Sequence, residues 1–131
     1  MSSAPDASQM PRPKVLVIDD NEVCRAVARD SLEQGGFDVI ELENPLGMSG
    51  IVNTEKPDVV LMDVEMPGMG GEKAVEIFLK HRLHECKILL YSGRDPRELE
   101  KLVRACGASG FVSKSVTDAE LTRAIRAHLP G

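Results

Sequence analysis

Short apolar runs alternate along this chain with longer amphipathic segments. Val15-Leu16-Val17-Ile18, Val59-Val60-Leu61-Met62 and Ile88-Leu89-Leu90-Tyr91 are continuous apolar stretches rich in Val, Ile and Leu, and Phe37 to Leu42 and Gly110 to Val112 are shorter or more mixed. Such runs read as parallel strands buried on both faces, and the segments between them as connecting helices. Strands are therefore expected over Lys14–Ile18, Phe37–Leu42, Asp58–Met62, Lys87–Tyr91 and Gly110–Val112.

The helical segments carry their own punctuation. Cys24, Val27, Ala28, Ser31 and Leu32 fall on one stripe that should face the sheet, before Gly35-Gly36 stops the first helix. Asn44-Pro45 reads as N-cap and first turn of a second helix. Gly47 and Gly50 each cost it about 1 kcal/mol, so it should be short or mobile. Pro67-Gly68 and Gly70-Gly71 predict a sharp turn, after which Ala74, Val75, Phe78 and Leu79 mark a third stripe. Asp95-Pro96 starts a fourth helix, with Leu99, Leu102, Val103 and Cys106 inward and Gly107 at its end. Thr117 to Glu120 is a capping-box pattern opening a fifth, whose inward side is Leu121, Ala124, Ile125, His128 and Leu129. Five strands alternating with five helices make an α/β fold, a doubly wound parallel sheet. Met1 to Pro13, with three prolines and no periodicity, reads as a disordered tail, which leaves residues 14–131 as one domain.

In open α/β sheets, ligands bind beyond the carboxyl ends of the strands. Four of the runs end in residues with chemistry to offer: Asp19-Asp20, Asp63, Ser92 and, just past the last run, Lys114. Each alone has an ordinary explanation as helix cap, turn or surface charge. Their convergence on one sheet edge changes the odds, because three crowded acids repel one another unless a cation is bound. His81, His84 and Cys86 lie toward the other end of the sheet and read as a solvated loop. Gly68, Gly70 and Gly71 lack the Lys-Ser/Thr of a phosphate-cradling loop, and Met48, Met66 and Met69 read as soft packing.

The chain has 131 residues, about one domain, and a formal charge of −5, which argues against general nucleic-acid or anionic-membrane binding. The charge is uneven: from Ser92 onward seven Lys/Arg face five acids, so that segment is +2 and the rest −7. Cys24, Cys86 and Cys106 are an odd number without CxxC spacing, and no signal peptide or long apolar stretch is present, so a reduced cytoplasmic setting is expected.

Taken in order, Asp19-Asp20, Asp63 in Asp63-Val64-Glu65-Met66-Pro67-Gly68-Met69-Gly70-Gly71, Ser92-Gly93, and Gly107 to Lys114 give the chain its resemblance to the receiver domains of two-component response regulators, from Lys14 to about Leu129. The resemblance implies a flavodoxin-like sheet of order 2-1-3-4-5. It implies Asp63 as phosphoacceptor, assisted by Ser92 and Lys114, and Ser92 and Phe111 as switch residues. Mg²⁺ would be held directly by Asp20, Asp63 and the Glu65 carbonyl, with Asp19 acting mainly through a bound water. Those residue types suit the chemistry: a carboxylate can become an acyl phosphate, and phosphoryl transfer asks mainly for alignment and charge neutralisation. The implied donor is a histidine kinase or phosphotransfer protein. Such a protein is not an enzyme in the ordinary sense, although its phosphotransfer and dephosphorylation are self-catalysed.

This chain departs from the family pattern in having Ser115 where proline commonly follows the lysine, so a trans Lys114-Ser115 peptide and a re-routed loop are expected. Phe111 also lacks the hydroxyl of a tyrosine switch. Ending one helix past Lys114, the chain is expected to act without an output domain, as a monomer or weak dimer. It would signal to a downstream protein target by contact through the surface of the last two helices and the fifth strand, where Arg97, Lys101, Arg104, Arg123 and Arg126 gather. A phosphorylation-independent interaction module is the alternative. A small flavodoxin-like enzyme is disfavoured, since no cofactor fingerprint is present.

Overall fold

The computed structural model describes residues 12–45, 47–65, 73 and 86–129. The elements are β1 (Lys14–Ile18), α1 (Glu22–Gln34), β2 (Asp38–Leu42), α2 (Met48–Glu55), β3 (Val59–Asp63), β4 (Lys87–Ser92), α3 (Pro96–Cys106), β5 (Gly110–Ser113) and α4 (Asp118–Ala127). The expected turn at Pro67 to Gly71, the stripe of Ala74, Val75, Phe78 and Leu79, and His81 and His84 lie outside the described residues. The helices predicted fourth and fifth are thus α3 and α4.

All pairings are parallel and the sheet order is β2-β1-β3-β4-β5, as expected for a doubly wound fold. The strands' alternating side chains feed two cores. Leu16, Ile18, Val60, Met62, Ile88 and Leu90 pack on one face with Met48 of α2 and Leu99 of α3. Val15, Val17, Val59, Leu61, Leu89 and Tyr91 pack on the other with Ala28 and Leu32 of α1 and Leu121 and Ile125 of α4. Central β3 is buried throughout, which explains its continuous apolar run. The sheet's topological switch lies between β1 and β3, whose ends carry the acids.

Caps explain most boundaries. Asn21 accepts from the Cys24 N–H at the start of α1, Asp95 from the Arg97 N–H at α3, and Thr117 and Glu120 form a reciprocal capping box at α4. Gly107 closes α3 in the left-handed region at φ 77°. Gly35 ends α1 beside Thr122, where a Cβ would collide with that side chain.

Two expectations are corrected. Asn44-Pro45 does not cap α2; the helix starts at Met48 behind Gly47, whose φ of 83° only glycine adopts freely, so the chain turns there and helix begins later. Val27 is not inward but 58% exposed, alongside Val23 at 71%, because α1 turns Ala28, Ser31 and Leu32 to the sheet and leaves this i, i+4 pair on its flank. The described chain joins the fold at Arg12, which donates to the carbonyls of Glu33 and Phe37 at 2.7 and 2.9 Å.

Candidate functional site

β3 and β4 each run one residue past the expected end, so Asp63 and Ser92 are themselves the last strand residues. Both are almost wholly buried, as is Asp19, while Asp20 is exposed. Carboxylate oxygens of Asp19, Asp20 and Asp63 lie within 4.8 Å of one another. Lys114 enters from beyond β5 and places Nζ 3.3 Å from Oδ2 of Asp19 and 3.3 Å from Oδ2 of Asp63. An open cleft of about 620 Å³ lies over these groups, rimmed by Asp20, Val23, Cys24, Asp63, Glu65 and Lys114.

Local hydrogen bonds set each orientation. Asp19 Oδ1 accepts from the Asn21 N–H at 2.9 Å, so with Lys114 on Oδ2 both its oxygens have protein partners. Asp63 Oδ1 accepts from the Glu65 N–H at 2.8 Å. The Glu65 side chain instead pairs with Arg94 at 3.5 Å. Ser92 Oγ accepts from the Arg94 N–H at 3.0 Å, and the Ser92 carbonyl accepts from the Lys114 N–H at 2.9 Å. Phe111 is half-buried against the core that contains Leu90 and Leu99.

The Lys114-Ser115 peptide is trans, like every described peptide bond. Lys114 reaches both carboxylates nonetheless, because its own N–H is fixed to β4. The loop after it is closed by the Ser113 and Ser115 hydroxyls, 2.7 Å apart.

The electrostatics follow from burial. Desolvation raises the Asp63 carboxyl above its ordinary range, with the Asp19 charge adding to that, against the opposing pull of the Glu65 N–H and Lys114. Burial alone would lower the Lys114 ammonium, but the charges of Asp63 and Asp19 outweigh it and the net shift is upward. Three carboxylates against one ammonium leave a negative pocket of hard oxygen donors. That donor set fits Mg²⁺ rather than a softer metal. Cys86, expected in a solvated loop, is instead buried in the core beside the start of β4, and burial suppresses ionisation of both its thiol and that of Cys106, so neither offers a nucleophile.

Sequence reasoning missed two residues here. Tyr91 places its ring 5.4 Å from Lys114 Nζ, within cation–π range. Arg25 of α1 donates to the Asp19 carbonyl at 2.7 Å. No periodicity announces either contact: Tyr91 and Lys114 belong to separate segments, and Arg25, although only six residues from Asp19, is aimed back at its carbonyl by the turn into α1 and by Glu41 of β2.

Fold and site together define a small doubly wound α/β protein with an acidic pocket at its switch point. The model of the response regulator receiver domain matches residues 15–126, and the chain belongs to that family, the receiver domains of two-component response regulators. It is 29% identical over 119 residues to protein PilH of Pseudomonas aeruginosa, with 90% of this chain and 98% of that protein covered. It is 32% identical over 104 residues to the CAI-1 autoinducer sensor kinase/phosphatase CqsS of Vibrio cholerae, with 77% of this chain and 15% of that protein covered. Among other curated relatives, the chain spans 27% of one and 57% of another. The structure of the chemotaxis protein CheY4 of Vibrio cholerae superposes with a TM-score of 0.78 at 22% identity, covering 91% of this chain and all of that one, a likeness of fold. No helix among the described residues is long and apolar enough to cross a membrane.

Proposed function

We propose that this receiver domain accepts a phosphoryl group on Asp63 and passes the signal on by protein contact. The observation that supports it best is the joint placement of a buried carboxylate between two further acids, with a lysine ammonium 3.3 Å away and a buried serine hydroxyl on the next strand. Asp63 Oδ2 attacks the donor's phosphorus, the P–O or P–N bond to the donor breaks, and Asp63 becomes an acyl phosphate. Lys114, already paired to the same oxygen, balances charge on the phosphoryl oxygens, and Ser92 Oγ donates a hydrogen bond to one of them. Asp20, Asp63 and the Glu65 carbonyl would hold Mg²⁺, with Asp19 acting mainly through a bound water; the metal supplies charge neutralisation at the transferred group. Exposed Val23 and Val27 give a donor such as a histidine kinase or phosphotransfer protein an apolar foothold beside the cleft. Incubating the protein with acetyl phosphate and Mg²⁺ and measuring intact mass tests the reading. One phosphoryl adduct is the expected result, and an unchanged mass would leave the phosphorylation-independent module.

The metal assignment makes a separate prediction. Asp19 has both oxygens occupied by protein donors, whereas Asp20 is exposed at the cleft, so Asp20→Asn should weaken Mg²⁺ binding about tenfold or more and Asp19→Asn less. NMR shift titration measures both, and equal affinities for wild type and Asp20→Asn would sink the assignment.

Output would use the surface of α3, β5 and α4, where Arg97, Lys101, Arg104, Arg123 and Arg126 are all exposed and would suit an acidic partner. The route to it is short. A Ser92 hydroxyl drawn to a phosphoryl group leaves the Arg94 N–H two residues before α3, and Phe111 sits beside Leu90 in register. Beryllofluoride should therefore change hydrogen exchange in α3 and around Phe111, Arg97, Lys101 and Arg123 more than in α1. Changes confined to Asp19, Asp20 and Asp63 would refute the coupling.

A further inference from the structure

We infer that Arg25 is a positioning residue for the acidic pocket, fixing the β1–α1 turn through the Asp19 carbonyl and so setting where the Asp20 carboxylate stands. The metal named in its test rests on the reading above; the geometry does not.

Arg25 is mostly buried and held from both ends. Its Nη1 donates to the Asp19 carbonyl at 2.7 Å, and its Nε pairs with Glu41 Oε1 at 3.2 Å. The other Glu41 oxygen takes Nη1 of Arg29 at 3.2 Å. One carboxylate near the end of β2 thus anchors two arginines a helical turn apart, and charge-assisted bonds of this kind hold a guanidinium in one orientation. Asp19 is tied to β2 a second time, through its N–H to the Leu42 carbonyl at 3.0 Å.

The carbonyl that Arg25 holds belongs to the Asp19–Asp20 peptide. That unit is planar, so fixing its oxygen fixes the direction in which the Asp20 Cα leaves. Asp20 is exposed, so its side chain inherits its placement from the backbone rather than from packing. The clamp therefore acts where the pocket is otherwise least constrained.

Three possible roles for Arg25 differ in sign. A guanidinium acting only by charge repels a divalent cation, so its removal would tighten Mg²⁺ binding. A purely structural arginine would alter stability and leave affinity unchanged. A positioning arginine weakens Mg²⁺ binding when removed, even though a positive charge has gone.

The experiment titrates wild type, Arg25→Gln, Arg25→Lys and Glu41→Gln with Mg²⁺ by NMR, and measures amide exchange without metal. Arg25→Gln is expected to lose about fivefold to tenfold in affinity, with faster exchange confined to residues 19–21. Arg25→Lys should recover part of the loss, since an ammonium can serve the carbonyl but not span to Glu41 as well. Glu41→Gln keeps both arginines but frees Arg25 from its anchor, so exchange at residues 19–21 should quicken to a smaller degree; because losing a carboxylate weakens cation binding by charge alone, that exchange readout carries the test if Arg25→Gln does not fold. Unchanged or tighter binding in Arg25→Gln, or faster exchange spread over the whole sheet, overturns the proposal. Should wild type bind no Mg²⁺, the metal reading of the site falls. The exchange comparison then decides on Arg25 alone, with unaltered exchange at residues 19–21 overturning it.

Discussion

Asp63→Asn is expected to take up no phosphoryl group from acetyl phosphate and Mg²⁺, while remaining folded and somewhat more stable than wild type in metal-free buffer. The loss is total because the amide oxygen is not a competent nucleophile for an acyl phosphate. The gain in stability follows from the raised Asp63 carboxyl, which burial drives above its ordinary value. A carboxyl raised on folding binds its proton more readily in the folded chain, so stability falls as pH climbs from the unfolded value through the folded one. The wild type therefore carries more of that cost at neutral pH than in acid, and near pH 4, about the ordinary carboxylate value, most of it is gone. Urea midpoints should thus differ at neutral pH and converge in acid. A phosphoaspartate in the variant would refute the acceptor assignment, and a neutral-pH midpoint below wild type would refute the electrostatic account.

Lys114→Met should have the largest effect on stability. The variant keeps most of the apolar stem but leaves Asp19 and Asp63, 1% and 4% exposed at their side chains, without the ammonium they share. Removing one partner from a buried charge cluster costs about 3 kcal/mol. For a domain of this size that is a melting point lower by roughly 10 °C in metal-free buffer. The raised Lys114 value places the stabilisation below the ordinary lysine range and loses it only as pH rises through the higher folded value, so it is fully present at neutral pH. Mg²⁺ should recover much of the loss, since a divalent cation takes over the neutralisation, and should raise the variant's melting point more than the wild type's. Equal melting points in metal-free buffer would show that the ion pairs contribute nothing. Failure of Mg²⁺ to narrow the gap would show that the carboxylates are not its site.

The architecture and the acids were legible because both depend on local order. Val59 to Met62 is apolar at every position since β3 is covered on both faces, and a strand end followed by Asp needs no distant partner to be recognised. Caps at Asp95 and Thr117 were readable for the same reason, the bonds they make spanning only two or three residues. In sequence Gly47 looks like a weakness in α2, whereas it is the turn that starts the helix, and choosing between those needs the backbone angle.

What the sequence determined by itself is the set of strands, the parity that gives the sheet two covered faces, and the residues delivered to its carboxyl edge, all consequences of periodicities of two and 3.6 along one chain. What the tertiary structure decided is where the side chains end. Val27 faces solvent because the centre of the buried α1 face is fixed by packing on the sheet, not by the helix's own pattern. Lys114 meets Asp19 and Asp63 despite Ser115 because β4 holds its backbone, and Arg25 reaches Asp19 because Glu41 on another strand holds its guanidinium. Those contacts join residues as many as 95 positions apart. Hydrogen bonds and ion pairs act over a few ångströms of space, so only the folded arrangement of the strands brings such partners within reach.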